Sequence, residues 1–308
     1  MKSDITIVIP VFNRAHTLPR TLASVERQTM LPDEVILVDN NSTDSSMEIM
    51  TAWRDKMVQG GLKVTVTSET TPGAAAARNK GLSLVTTKYV MFFDSDDEML
   101  PCHVKDFAET LAANPAAEIA GRDIEMRLLD GSSKRGYFRA RDAMFHHIFR
   151  GTMSTQRIVV TTELVRRVGG WDASLRQWDD YELGIRYLLA EPVITELPGP
   201  PSVITYSQAE SLTGTDHTSA AGRWEKALDT CRGNIIRAGR EDLLPWLDTR
   251  YAILAAHYHN EGSRRLALSL LEKTLSRTPH PRRIAMLYHH NRIFHRLTWV
   301  AARILFPW

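Results

Sequence analysis

The chain has 308 residues, 43% of them hydrophobic and 24% charged, with 17 glycines and 14 prolines. That balance supports a buried core and excludes disordered, collagen-like and low-complexity classes. The net charge of +2 conceals a division: no acid follows Glu272, while Lys273, Arg277, Arg282, Arg283, Arg292, Arg296 and Arg303 give that tail +7 and leave residues 1–272 at −5.

The length suits one large domain with a smaller appendage. Cys102 and Cys231 are too few and too distant for a disulfide framework or a cysteine-based zinc site, and fit a reducing compartment. The apolar run 5–12 is short, carries Pro10 and lacks a basic flank, so it reads as a buried strand rather than a signal peptide. The longest stretch free of Asp, Glu, Lys and Arg, residues 197–209, holds three prolines. No membrane span is expected, and a cytoplasmic protein is.

In chain order, residues 5–11 form a nearly continuous apolar, β-branched run, the pattern of a strand covered on both faces. Leu18, Leu22 and Val25 then recur at helical spacing, with Pro19 tolerable only in a first turn. A second strand is predicted at 34–39, followed by a helix through Met47, Met50 and Met57. A third strand occupies 63–67, an alanine-rich helix 74–84 and a fourth strand 89–94. This alternation implies a parallel sheet with right-handed crossovers. Short strands are expected near 118–129 and 157–161. Beyond Gly222 the pattern is purely helical, at 223–238, 242–261, 263–277 and 282–305, and the boundary is placed between residues 1–217 and 218–308.

Ligands of parallel sheets sit beyond the carboxyl ends of the strands. Here those ends read Pro10-Val11-Phe12-Asn13, Val38-Asp39-Asn40-Asn41 and Phe93-Asp94-Ser95-Asp96-Asp97. Asp94 and Asp96, two apart at a strand end, offer the hard oxygens that Mg²⁺ or Mn²⁺ prefers. Taken alone, such a pair is equally an acidic surface turn. Its alignment with two other polar strand ends favours a site.

The segments PVFN (10–13), VDNNSTD (38–44), GAAAARNKGL (73–82), FFDSDD (92–97), GGWD (169–172) and WDDYELGIRYL (178–188) together resemble a family 2 glycosyltransferase with a GT-A fold. The resemblance implies an α/β, Rossmann-like, mostly parallel central sheet, here with an α-helical C-terminal extension. It also implies a nucleoside-diphosphate sugar donor, with a UDP-sugar expected, a divalent metal (Mn²⁺ or Mg²⁺) and transfer with inversion. By the same resemblance Pro10, Val11, Phe12 and Asn13 line the nucleotide pocket, Asp39 bonds the base or ribose, and Arg78 and Asn79 lie near base or phosphates. Asp94, Ser95 and Asp96 form the D-x-D motif, with Asp96 on the metal and Asp94 nearer the ribose. Asp180, just before Tyr181, is the implied base that deprotonates the acceptor hydroxyl.

One departure concerns the third metal ligand. Gln208 stands where the family often has a histidine, and His217 is the nearest substitute. The basic tail, 282–306, mixes arginines with Ile284, Leu287, Leu297, Trp299, Val300, Ile304 and Phe306, as interfacial membrane helices do. Together with the tail, the family resemblance implies a lipid-linked or polysaccharide acceptor in cell-envelope glycan assembly, with peripheral attachment to the inner face of the cytoplasmic membrane. The acidic body argues against nucleic acid. Two other readings stay open: a nucleotidyltransferase on a similar sheet, for which residues 11–20 lack the glycine-rich loop, and a silent GT-A binding module, against which Asp96 and Asp180 are retained.

Overall fold

The computed structural model describes residues 3–207, 216–294 and 298–306, without the side chains of 298 and 299. Two compact units form, one of residues 1–143 with 152–209 and the other of 144–151 with 210–308.

The first unit begins with β1 (Ile5–Val11), α1 (Leu18–Glu26), β2 (Glu34–Asp39), α2 (Ser46–Gln59), β3 (Lys63–Ser68), α3 (Ala74–Leu84) and β4 (Tyr89–Phe92). β1, β2 and β4 are buried along their whole length, which their unbroken apolar runs require. β3 lies at the edge and exposes Lys63 and Ser68. Pro19 stands in the first turn of α1, where its missing N–H breaks no bond. α3 lies close on the sheet through Ala75, Ala76, Ala77 and Gly81, and a Cβ at Gly81 would collide with the methyls of Val8.

The chain continues with β5 (Glu98–Met99), α4 (His103–Ala113), β6 (Ile119–Gly121), β7 (Ile124–Arg127), β8 (Ser133–Gly136), α5 (Ala143–Arg150), β9 (Ile158–Thr161), α6 (Thr162–Arg167), α7 (Asp179–Leu189), β10 (Ile194–Glu196) and β11 (Val203–Tyr206). The main sheet has the order β10-β6-β9-β4-β1-β2-β3 and is parallel except at β9, which runs antiparallel to both neighbours. A smaller sheet, β5-β11-β7-β8, lies apart from it. The stretch predicted as strand at 118–129 is thus divided: β6 joins the main sheet and β7 the smaller one. Arg122 and Asp123 separate them, their buried side chains ion-paired to Asp106 and Arg135.

The second unit contains α5, α8 (Arg223–Arg237), α9 (Leu244–Asn260), α10 (Arg264–Leu275), α11 (Pro281–Ile293) and α12 (Thr298–Leu305). Fully buried Asp248 on α9 bonds Arg232 of α8 at 2.7 Å, and Asp229 of α8 takes Lys273 of α10 at 2.9 Å, so charged pairs tie three helices. The stretch 282–305, expected as a single helix, is instead divided between α11 and α12. Phe294 leaves helical geometry at φ −124°, ψ 65°, and α12 packs back on α11. This packing buries Ala302 and Phe306, the latter against His280, whereas a continuous helix would carry both onward.

Candidate active site

Because β1, β2 and β4 are adjacent and parallel, their carboxyl ends share one edge of the sheet. Pro10 and Val11 are buried in β1, in register with Val38 and Asp39, and Phe12 beyond them is 53% exposed. Asn13 has a positive φ of 50°, which its side chain steadies by accepting the Thr43 N–H at 2.8 Å. Its own N–H donates to Ser42 Oγ at 3.0 Å, so the loops after β1 and β2 are stitched together. Asp39 is buried; Oδ2 accepts the Ser42 N–H at 3.3 Å, while Oδ1 is buried with no partner among the described residues. Leaving such an acceptor unmet is costly, and a donor on a bound ligand would remove that cost. Asn40 holds the next loop by donating to the carbonyls of Glu69 and Thr71 and accepting from Gly73 N–H.

After β4 the backbone of the Asp94–Asp97 turn is gripped by α1 and the loop before it. Thr17 Oγ1 donates to Ser95 O at 3.1 Å, Thr21 Oγ1 to Asp97 O at 2.8 Å, and Arg20 to Asp96 O. Carboxylate oxygens of Asp94, Asp96 and Asp97 lie within 4.8 Å of one another. Both oxygens of Asp94 are engaged, one by Arg78 at 2.7 Å and the other by Gln156. Asp97 Oδ1 accepts the Tyr206 N–H, and Arg14 Nε stands 3.7 Å from Asp96 Oδ2. Burial and the neighbouring Asp94 raise the pKa of Asp96 to about 6, and burial with Asp94 and Asp96 pushes Asp97 well above the usual range. A cluster of hard oxygens with more negative charge than its surroundings balance is suited to a divalent cation.

Arg78, buried on α3, joins this acidic turn to α7. Its two terminal nitrogens reach Asp94 Oδ1 at 2.7 Å and Asp179 Oδ2 at 2.9 Å, and its guanidinium covers the Trp171 ring at 4.4 Å. Burial works against the charge of Arg78, but the two carboxylates outweigh it and hold the group protonated. Asn79 lies beside it with both ends of its amide on the backbone of Trp171. That contact fixes the GGWD segment against α3.

Asp180 occupies the first turn of α7. The preceding Trp178 adopts φ 53°, a left-handed backbone that is costly for a bulky residue and marks a constrained site. Burial, then Asp179, raises the pKa of Asp180 to about 6 against the opposing pull of Arg78 and the Tyr181 N–H. Glu182 of the same acidic run is buried and bound to Arg186 at 2.6 Å, a pairing that fastens Arg186 to the carbonyls of Val168 and Gly170. The structure therefore links Asp94, Asp179 and its neighbour Asp180 through Arg78, with Asp39 at the end of β2, one strand beyond β1.

Sequence reasoning passed over Arg14, Arg20 and Gln156 as partners of this site. The arginines had a signal, since they follow the first strand end by one and seven residues; Gln156 had none. Gln208 lies outside the described residues. His217 belongs to the helical unit, where its N–H and Nδ1 both meet Glu261 Oε1 at 3.0 Å and its ring stacks on His257. Among the described residues no helix is long and apolar enough to cross a membrane.

Comparison with known proteins supplies the family. An uncharacterized glycosyltransferase of Haemophilus influenzae is 24% identical over 273 residues, 83% of this chain and 85% of that protein. The crystal structure of S. aureus TarS 1–349 in complex with UDP-GlcNAc matches with a TM-score of 0.69 at 17% identity, over 99% of this chain and 90% of that one. The chain spans only 53% of a longer TarS chain. The mannosyltransferase PcManGT from Pyrobaculum calidifontis, in complex with GDP-Man and Mn²⁺, matches at a TM-score of 0.55 and 17% identity, over 98% and 86% of the two chains. These likenesses establish a GT-A type of fold. The profile of Glycosyl transferase family 2 matches residues 6–160, half of the chain, and with that match the chain belongs to glycosyltransferase family 2.

Proposed function

We propose that the protein transfers a sugar, with inversion, from a nucleoside-diphosphate sugar to a hydroxyl of a glycan or lipid-linked acceptor in cell-envelope assembly. The observation that carries this reading is the Asp94–Arg78–Asp179 bridge, which sets the acidic turn of a donor site beside the half-buried Asp180. Asp39 Oδ1 is an acceptor in search of a donor, and a uracil or ribose would supply one; the UDP-GlcNAc complex of TarS favours UDP. Pro10 to Asn13 form the wall of that pocket in this reading, and Arg78 and Asn79 shape its floor.

Asp96 and Asp94 would hold Mn²⁺ or Mg²⁺, which when bound offsets the charge that grows on the leaving diphosphate. Asp180 takes the proton of the acceptor hydroxyl as that oxygen attacks the anomeric carbon. Its raised proton affinity brings it nearer the operating pH of a general base. A single displacement on the face opposite the diphosphate leaves no covalent sugar on the protein.

The catalytic part lies in the first unit and the extension is the helical unit. On α11, Arg282, Met286, His289 and Ile293 fall at spacings of 4, 3 and 4 on one exposed face, and Ile304 on α12 is 72% exposed. Basic and apolar groups together support a peripheral seat on an anionic, cytoplasm-facing membrane.

The test is nucleotide release from UDP-, GDP- and dTDP-sugars with and without Mn²⁺. Metal-dependent release from one donor is expected, strongest with UDP. Pyrophosphate-dependent conversion of the donor to a nucleoside triphosphate and a sugar 1-phosphate would favour the nucleotidyltransferase reading. Tight nucleotide binding with no release in the presence of acceptors would favour a silent binding module.

A further inference from the structure

A small cavity opens beside Asp180, its walls including Phe92, Val160 and Leu183 and four residues with polar ends: Thr155, Asp180, Trp171 and Tyr187. The space open to the centre of a water-sized sphere is about 10 Å³, room for one water molecule. Asp180, Leu183 and Tyr187 follow one another at i, i+3 and i+7 and so share one face of α7. Trp171 and Tyr187 are 4% and 2% exposed, yet Trp171 Nε1 and Tyr187 Oη have no partner among the described residues. The carboxylate of Asp180 accepts one hydrogen bond among the described residues, from the adjacent Tyr181 N–H at 2.7 Å.

We propose that one ordered water sits in this cavity, held by Trp171 Nε1, Tyr187 Oη and the Asp180 carboxylate, and that Tyr187 is thereby a positioning residue for Asp180. The donor inventory fixes its orientation. An indole N–H only donates and an ionised carboxylate only accepts, so the water accepts from Trp171 and donates to Asp180. Burial pushes the Tyr187 phenol far above its ordinary range, so it keeps its proton and supplies the second donor. The result is a water aimed at the ionised form of Asp180, which otherwise faces charges but no fixed donor outside its own turn. Those charges are Asp179 on α7, Arg78 on α3, Asp94 after β4 and Arg157 just before β9.

The assignment rests on Asp180 being the base, and Tyr187→Phe in the full chain tests it by two routes. With the water in place the variant loses a hydrogen bond, and its melting temperature falls by about 3 °C. With UDP-GlcNAc and Mn²⁺, kcat falls about tenfold, the equivalent of one hydrogen bond. The donor KM stays within about twofold and the acid limb of the kcat profile moves to higher pH. A dry cavity gives the reverse: removing an unpaired buried phenol leaves the melting temperature unchanged or higher, and the proposal is overturned. A lower melting temperature with unchanged kcat and pH limb overturns the positioning role. The melting experiment needs no substrate, and Asp180→Asn separates the two readings. If that variant keeps its turnover, the base assignment fails whatever Tyr187→Phe does. If it is inactive while Tyr187→Phe matches the wild type in both measurements, only the water is refuted.

Discussion

At the scale of single residues, the proposed chemistry concentrates on Asp180. A base must be ionised to accept a proton, and its proton affinity, raised to about 6 by burial and Asp179, sets where that happens. Turnover should rise about tenfold per pH unit below 6 and level off above it, measured as kcat at saturating donor. Asp180→Asn should lose at least about a hundredfold in kcat while binding UDP-GlcNAc within about twofold of the wild type by calorimetry. Asp96→Asn should do the opposite to the metal, abolishing Mn²⁺ binding seen by the same method. The acids at 94, 96 and 180 were legible in the sequence because each belongs to a contiguous motif. The link between them was not: Arg78 and Asp179 lie 101 residues apart, and nothing in either segment names the other. Gln156, which holds the second oxygen of Asp94, belongs to no motif at all.

At the scale of elements, apolar runs identified β1, β2 and β4 because strands buried on both faces have little freedom in composition. Short elements gave weaker signals. The run at 118–129 could not reveal that it serves two sheets, since that depends on which partner strand lies beside each half. The break at Phe294 likewise follows from the apolar cover that Ala302 and Phe306 find, a property of the packed unit. One helix carries a pH effect that sequence alone would not suggest. His103 on α4 is buried with Nδ1 2.7 Å from Ser202 Oγ, and burial, then Arg122, lowers its pKa to about 3 from 6.5. The unfolded chain then binds the proton first, so this contribution to stability is complete above pH 6.5 and is lost as pH falls toward 3. Between pH 7 and pH 5 the wild type should lose about 2 kcal/mol more than His103→Gln, measured as urea unfolding free energies. Equal losses would contradict it.

At the scale of the molecule, the charge division was visible from composition and locates a second prediction outside the catalytic chemistry. Vesicles rich in phosphatidylglycerol should sediment the protein at low salt, and release it as salt screens the arginines. Arg282→Glu with Arg283→Glu should weaken that binding several-fold without changing nucleotide release from soluble substrates; equal binding to neutral phosphatidylcholine would refute the electrostatic account. What composition could not show is how the chain is shared out. Residues 144–151 group with the helical unit, where Phe145 meets Trp246 edge-on at 5.6 Å and Arg250 Nη1 donates to Phe149 O at 3.4 Å. Neither unit is therefore a continuous piece of polypeptide. The helices after 210 are not a cassette that recombination could add or exchange at a single junction, because a chain cut at 209 would strand Phe145, Ile148 and Phe149 in water.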